Sequence, residues 1–317
     1  MEIIGILTGG DSAEYHISLL SAKTVLKHLD NTKYNGIIIS LKNDEYKVGN
    51  KKIDTSDFSY FNGNNKIKFD KIFIALHGPP AENGLIQDYF DKISLPYTSC
   101  NSKVSSLTFD KFECNKTLQD HGFRCADSLI IYSNKLFSED DIIGKIGLPC
   151  FVKPNSAGSS YGISKVIKKA DLTQAIEKAL LHDNKVIVER FINGKEISCG
   201  VFSDEKKIIT LPLTEIITEN DFFDYEAKYE GKSQEITPAK INTQLTSEIQ
   251  RITTNIYKRM NLSGICRVDF IIQNNQAYIL EINTIPGLSE KSIIPQQLKA
   301  ANISLLEIFD LCLSNIN

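Results

Sequence analysis

Three features of the chain predict an α/β (α+β) fold: strands alternating with helix in the first 99 residues, a change of pattern near residue 100, and a strand hairpin near the C-terminus. The runs Glu2 to Thr8, Gly36 to Leu41 and Lys71 to Leu76 alternate with a helical stretch from Ala13 to Leu29, which is the signature of a parallel sheet. At 317 residues the chain exceeds the usual size of one compact core, so several domains enclosing a cleft are expected. The pattern divides it into units 1–99, 100–188 and 189–317.

In the first unit, Gly9-Gly10 closes a strand, and Asp11 or Ser12 is suited to cap the helix that follows. That turn is either an ordinary βα connection or a seat for an anion at a helix N-terminus. Residues 42–70 are rich in Asn, Lys and Asp and read as short β-ribbon and loop. The second unit reads as a helix from Ser105 to His121, a strand pair near Leu129 and Phe151, and an amphipathic helix from Asp171 to Leu181. Between them, Phe151-Val-Lys153-Pro leads into the Gly/Ser turn 156–162 and a further strand at Ile163 to Ile167. Such a turn is either a flexible hairpin or a lid whose N–H and hydroxyl groups fold over phosphates.

The third unit opens with an apolar strand ending in Glu189, followed by Phe191-Ile192-Asn-Gly194-Lys-Glu196. Taken alone this is a strand and a turn, and it is also how a nucleotide-base hinge is built. Residues 220–233 are aromatic and charged, without a clean period, and read as a cover over a site. A long amphipathic helix from Gln244 to Met260 precedes Arg267-Val-Asp269-Phe and, after a turn at Asn274-Asn275, Leu280-Glu281-Ile-Asn283-Thr-Ile-Pro286-Gly287. Period-2 alternation sends Glu281 and Asn283 to one face of their strand, so that with Asp269 three hard oxygen donors can converge on a Mg²⁺ site for nucleotide phosphates. Arg267 projects from the face of Asp269, within reach of a substrate carboxylate or a transferring phosphoryl group.

Composition narrows the class. A net charge of −3 with 24% charged residues supplies no field for nucleic acid or an anionic membrane. The N-terminus reads as a first strand, without a basic leader or a membrane-length apolar run, so a cytoplasmic protein is expected. Seven cysteines without a C-x-x-C pair argue against a disulfide framework or a zinc ribbon, and read as reduced core residues. Gly231-Lys232-Ser233 copies the tail of a Walker A loop, but Glu226 stands at the first glycine position and no strand precedes it.

Taken in order, Gly9-Gly10-Asp-Ser12-Ala-Glu14-Tyr-His-Ile-Ser18, His77-Gly78 with Glu82-Asn-Gly84, Asp110-Lys111, Val152-Lys153-Pro with the 158–162 turn, Tyr225-Glu-Ala-Lys228-Tyr229, Arg267-Val-Asp269 and Glu281-Ile-Asn283-Thr-Ile-Pro286-Gly287 resemble the D-alanine–D-alanine ligases of the ATP-grasp superfamily. The resemblance runs essentially end to end. It implies a three-domain ATP-grasp architecture, with an N-terminal parallel-sheet domain and ATP held between the central and C-terminal domains. Its expected activity joins two D-alanine molecules through an acyl phosphate to give D-alanyl-D-alanine, ADP and phosphate for peptidoglycan precursors.

The resemblance also implies roles. Lys111, Lys153, Ser160, Glu189, Phe191, Ile192, Glu196, Phe222, Lys228 and Leu280 would bind ATP, with Glu189, Phe191, Ile192 and Glu196 at the adenine and ribose. Asp269, Glu281 and Asn283 would hold two Mg²⁺ (or Mn²⁺) ions. Glu14, with Ser159 and Tyr229, would surround the first D-alanine, and His77 would bind substrate; Arg267 and the Gly287 N–H would face the tetrahedral carbon, and Ser292 and Ile293 the second carboxylate. Tyr229 beside Lys228 implies an amine as second substrate, because depsipeptide-forming members carry a different residue there, commonly histidine. A homodimer is implied as well. Departures are Ala157 in the lid and Pro79-Pro80-Ala81 after His77-Gly78, while His16 reads as a surface residue. Two alternatives stand beside the leading expectation: a ligase making a depsipeptide or another D-amino-acid dipeptide, and an ATP-binding regulatory module without catalysis.

Overall fold

The structure, a computed structural model, describes residues 1–158, 162–204, 206–218 and 233–316. The first unit holds β1 (Glu2–Gly9), α1 (Tyr15–His28), β2 (Tyr34–Lys42), β3 (Glu45–Val48), β4 (Lys51–Lys52), β5 (Tyr60–Asn62), β6 (Asn65–Ile67), β7 (Lys71–Ile74) and α2 (Leu85–Lys92). Its sheet has the order β4-β3-β2-β1-β7, with β1 parallel to both β2 and β7 and the first three strands antiparallel. Ile4, Ile6 and Leu7 of β1 are fully buried, because a central parallel strand is covered on both faces. The ribbon expected over 42–70 is present as β3 to β6.

The second unit comprises α3 (Ser102–Phe109), α4 (Lys111–Asp120), β8 (Ser128–Tyr132), α5 (Glu139–Ile146), β9 (Cys150–Pro154), β10 (Ser164–Val166), α6 (Leu172–Leu180) and β11 (Lys185–Arg190). Two expectations are corrected here. The single helix over 105–121 is two helices, broken at Asp110, whose extended backbone (φ −80°, ψ 97°) ends α3 and whose carboxylate accepts from the Glu113 N–H to start α4. The strands near Leu129 and Phe151 are not neighbours: the sheet order is β10-β9-β11-β8, with β11 antiparallel to both. β11 continues to Arg190.

The third unit contains β12 (Lys195–Ser203), β13 (Ile208–Thr210), β14 (Thr214–Thr218), β15 (Ser233–Ile236), α7 (Thr243–Arg259), β16 (Cys266–Gln273), β17 (Gln276–Asn283), α8 (Ile293–Ala300) and α9 (Leu305–Ser314). Strand order is β15-β14-β12-β16-β17, with β13 on β12. The turn between β16 and β17 has left-handed backbone at both Asn274 (φ 50°) and Asn275 (φ 59°), the geometry that matches the twist of a two-residue hairpin. The stretch 219–232 lies outside the described residues, between β14 and β15, which pair antiparallel.

The C-terminal helices bind the first unit to the third. Ile4, Ile6, Val25 and Phe73 share one core with Leu298, Ile308 and Phe309, and the Phe73 and Phe309 rings meet edge to face at 5.3 Å. Tyr34 Oη donates to Asp310 at 2.7 Å. All seven cysteines are buried free thiols, as expected. Among the described residues no helix is long and apolar enough to cross a membrane.

Gly9 sets the exit of β1. Its φ is +93°, and a Cβ there would stand 2.3 Å from the Leu41 carbonyl oxygen, which accepts from the Gly10 N–H. Gly9→Ala should therefore cost about 3 kcal/mol, combining left-handed strain with a backbone clash. A thermal unfolding scan should show a midpoint several degrees lower, and an unchanged midpoint would contradict this account of the turn.

Candidate functional site

One cavity of about 430 Å³ receives side chains from all three units. Its floor is the hairpin β16–β17. Asp269 stands opposite Glu281 in the register, and Arg267 opposite Asn283. The register then slips between Asp269 and Phe270, leaving Leu280 as the extra residue, so Leu280 and Glu281 both line the cavity although they are adjacent in sequence. Asp269 is only 3% exposed. Arg267 forks onto it, Nε donating at 2.8 Å and Nη2 at 2.7 Å, and Ser198 Oγ donates at 2.5 Å. Arg267 was expected to reach toward substrate; here its guanidinium binds Asp269.

Oxygen donors suited to a hard divalent cation therefore gather on this floor. Among the described residues no group of three or more His, Cys, Asp and Glu side chains could hold a metal, so the expected ligand set depends on the amide oxygen of Asn283 beside Asp269 and Glu281. That oxygen accepts from the Ile285 N–H at 3.0 Å, which orients it and leaves a lone pair. Two carboxylates and an amide oxygen on paired strands fit a Mg²⁺ site.

The roof comes from β9 and the start of α4. Lys153 is buried and ion-paired with Glu189, whose other oxygen accepts from Asn115 Nδ2 at 2.8 Å. Lys111, at the first position of α4 because α3 ends at Asp110, donates to the Ala157 carbonyl at 2.7 Å. Burial lowers the Lys111 pKa below the ordinary lysine value, Glu281 acts to raise it, and Lys153 lowers it further.

The third wall is the first unit. Glu14 precedes α1 and lines the cavity with Glu82, and a Cβ at Gly158 would sit 3.2 Å from Glu14 Oε2 and 3.9 Å from Glu82 Oε2. Neither Asp11 nor Ser12 caps α1: the Asp11 carboxylate accepts from the Asn43 N–H, and Ser12 Oγ donates to the His77 carbonyl. Burial, then the charge of Glu14, pushes the Glu82 carboxyl up to about 8. His77 is buried and its pKa is lowered, first by burial. Its Nδ1 faces the Ile285 carbonyl (2.9 Å) and so must donate, which leaves Nε2 to accept from Ser21 Oγ (3.0 Å). Ser21 Oγ in turn accepts from the Leu288 N–H. His77 thus ties the first unit to the segment after β17 directly through Nδ1, and through Nε2 by way of Ser21.

Of the expected site residues, Glu14, His77, Lys111, Lys153, Glu196, Arg267, Asp269, Leu280, Glu281, Asn283, Gly287, Ser292 and Ile293 all line this cavity. Glu189, Phe191 and Ile192 do not; the Glu189 carboxylate, expected at the adenine and ribose, is held by Lys153 and Asn115 instead. Ser159, Ser160, Phe222, Lys228 and Tyr229 lie outside the described residues. Glu82 and Glu235 line the cavity and were not among the expected site residues. His16 is exposed, as expected.

Comparison with known proteins identifies the family of the chain. The family model for the D-ala D-ala ligase N-terminus matches residues 3–100, and that for the D-ala D-ala ligase C-terminus matches residues 118–313. A D-alanine–D-alanine ligase of Flavobacterium johnsoniae is 47% identical over 314 residues, covering 98% of this chain and 97% of that one. Among solved structures, the VanG D-Ala:D-Ser ligase from Enterococcus faecalis superposes with a TM-score of 0.86 at 30% identity, over 99% of this chain and 98% of that one. The D-alanine–D-alanine ligase from Bacillus anthracis complexed with ATP gives 0.81 at 26%, over 99% and 97%.

Two measurements check the electrostatics. Glu189→Ala strands Lys153 in a buried position and should cost about 3–5 kcal/mol in denaturant unfolding; a loss below about 1 kcal/mol, the scale of an exposed pair, would contradict the pairing. Glu82 has a folded pKa raised from 4.5 to about 8, so its contribution to stability is fully present below 4.5 and is lost as pH rises toward 8. In chelator-treated protein, Glu82→Gln should remove that decline between those two pH values, and parallel stability curves for the two proteins would refute it.

Proposed function

The chain belongs to the D-alanine–D-alanine ligase family, and we infer from that membership and from the cavity how its residues divide the work. It is an ATP-dependent ligase that joins two D-alanine molecules into D-alanyl-D-alanine for peptidoglycan synthesis. The observation that carries the assignment of roles is the convergence on one cavity of Arg267, Asp269, Glu281 and Asn283 with Lys111, Lys153 and Glu14.

In this reading Lys111 and Lys153 hold the nucleotide phosphates, Glu196 and Leu280 bound the nucleoside, and Glu14 receives the ammonium of the first D-alanine. Its carboxylate attacks the γ-phosphorus, and the bond to the β-phosphate oxygen breaks to give ADP and an acyl phosphate. Two divalent cations, Mg²⁺ or Mn²⁺, held by Asp269, Glu281 and Asn283, would when bound neutralise the phosphate charge. Arg267 then leaves Asp269 to that role and turns, with the Gly287 N–H, to the oxygen of the tetrahedral carbon as the second amine displaces phosphate. Ser292 and Ile293 bound the second carboxylate. His77, with both ring nitrogens engaged, shapes the substrate wall as a neutral imidazole. Ser159, Ser160, Phe222, Lys228 and Tyr229 keep the roles that the family resemblance gives them, with residues 220–233 shielding the acyl phosphate from water. The reading extends to a cytoplasmic homodimer whose units 1–99, 100–188 and 189–317 supply substrate wall, lid and catalytic floor.

The direct test is phosphate release from ATP with and without D-alanine, with the product weighed by mass spectrometry. D-alanine should be required and the dipeptide should form; ATP binding with no phosphate release in either condition would favour a regulatory ATP-binding module. Supplying D-serine or D-lactate beside D-alanine should leave D-alanyl-D-alanine as the main product. Glu281→Gln should lower turnover by about 10³-fold or more with the fold intact, and near-normal turnover would remove Glu281 from the metal set.

A further inference from the structure

Glu235, like Glu82, is a cavity carboxylate without a part in that chemistry. It stands on β15, the edge strand of the large sheet, opposite Ile216 of β14, which is itself opposite Glu196 of β12. Residues directly opposite share a face, so Glu235 looks out from the face that carries Glu196, Arg267 and Asp269. Gln296 of α8 holds it in place: Gln296 Nε2 donates to Glu235 Oε2 at 2.5 Å and is itself positioned by the Lys291 carbonyl at 2.9 Å. The carboxylate is therefore fixed against the first turn of α8, next to Ser292 and Ile293.

We propose that Glu235 binds the ammonium group of the second D-alanine and accepts its proton, making the amine nucleophilic and selecting an amino acid over a hydroxy acid. The inference rests on the assignment of the second substrate to the Ser292 end of the cavity. D-Alanine arrives as a zwitterion with no lone pair on nitrogen, so a proton must leave before attack. It passes from the ammonium nitrogen to Glu235. The N–C bond then forms as the C–O bond to phosphate breaks, and the nitrogen's second proton departs with the phosphate. A carboxylate with an ordinary pKa is a weak base at neutral pH. Burial raises that of Glu235, against the opposing effects of the Gln296 hydrogen bond and of Arg267. The other charged side chains that line the cavity from this face of the sheet are Glu196 of β12 and Arg267 and Asp269 of β16, with Lys291 ahead of α8, and Gln296 is neutral. D-Lactate carries no ammonium for Glu235 to bind, so the same contact disfavours it.

Glu235→Gln keeps the side-chain shape and a hydrogen-bond acceptor for Gln296 but removes the base. Hydroxylamine separates the two half-reactions, since it is already a free nucleophile and traps the acyl phosphate as D-alanyl hydroxamate without needing the second subsite. The variant should form hydroxamate within about twofold of the wild-type rate while its dipeptide kcat/KM for the second D-alanine falls about 10²-fold. The acidic limb of the wild-type dipeptide pH profile should vanish, and the share of D-lactate in the product should rise. Equal losses of hydroxamate and dipeptide would make Glu235 merely structural and overturn the proposal. So would an unchanged second-substrate kcat/KM with an unchanged pH profile. A wild-type chain that forms hydroxamate but no dipeptide would overturn the ligase reading, and this inference with it.

Discussion

A carboxylate as enclosed as Asp269 needs ionic and hydrogen-bond partners in place of the water it has lost, and the fork of Arg267 with the hydroxyl of Ser198 supplies them. The same constraint governs the roof, where Lys153 and Glu189 neutralise one another in a buried pair. It explains why the partners stand close together on extended strands: Arg267 and Asp269 are two residues apart on one face of β16, and Lys153 and Glu189 lie on the paired strands β9 and β11. The proposed reaction uses this balance: a polyphosphate with its cations would bring both signs of charge, so Arg267 could exchange Asp269 for substrate without leaving that carboxylate bare.

That exchange requires walls that do not move apart. The first unit is fastened to the third through the shared core around Phe73 and Phe309, through Tyr34 and Asp310, and through His77 bridging Ser21 and Ile285. α8 is pinned to the large sheet by Gln297, which donates to Ser198 O and Thr214 Oγ1 and accepts from the Gly200 N–H. Ser198 therefore links α8, at the Ser292 end of the cavity, to Asp269 on the floor, so the two share one rigid support.

Much of this was legible in the chain because it depends on local rules. The Asn274-Asn275 turn set the pairing nearest the hairpin tip, and alternation put Glu281 and Asn283 on one face of their strand; only the bulge at Leu280 brings that face round to Asp269, which the turn's register alone would set opposite Leu280. What was not legible depends on tertiary context. The bulge at Leu280 has no Gly or Pro to announce it. The break at Asp110 lies inside a stretch that reads as one helix, yet an extended Asp there caps α4 and turns Lys111 inward. α2 and α5 are only 8 residues each and too short for a clear period. β11 takes the place between β8 and β9 although it follows both in sequence, since non-local pairing leaves no local mark. Glu189 carries no sign of its buried partner, and Glu235 joins the site only because four strands bring a distant edge beside α8.

The central claim is that this cavity activates a D-alanine carboxylate as an acyl phosphate before the peptide bond forms. Turnover of D-alanine labelled with ¹⁸O in its carboxylate measures that step directly, because the oxygen that attacks the γ-phosphorus must leave with the phosphate. Inorganic phosphate carrying one labelled oxygen for each dipeptide formed is the predicted result. Unlabelled phosphate would contradict the account, whatever the dipeptide yield.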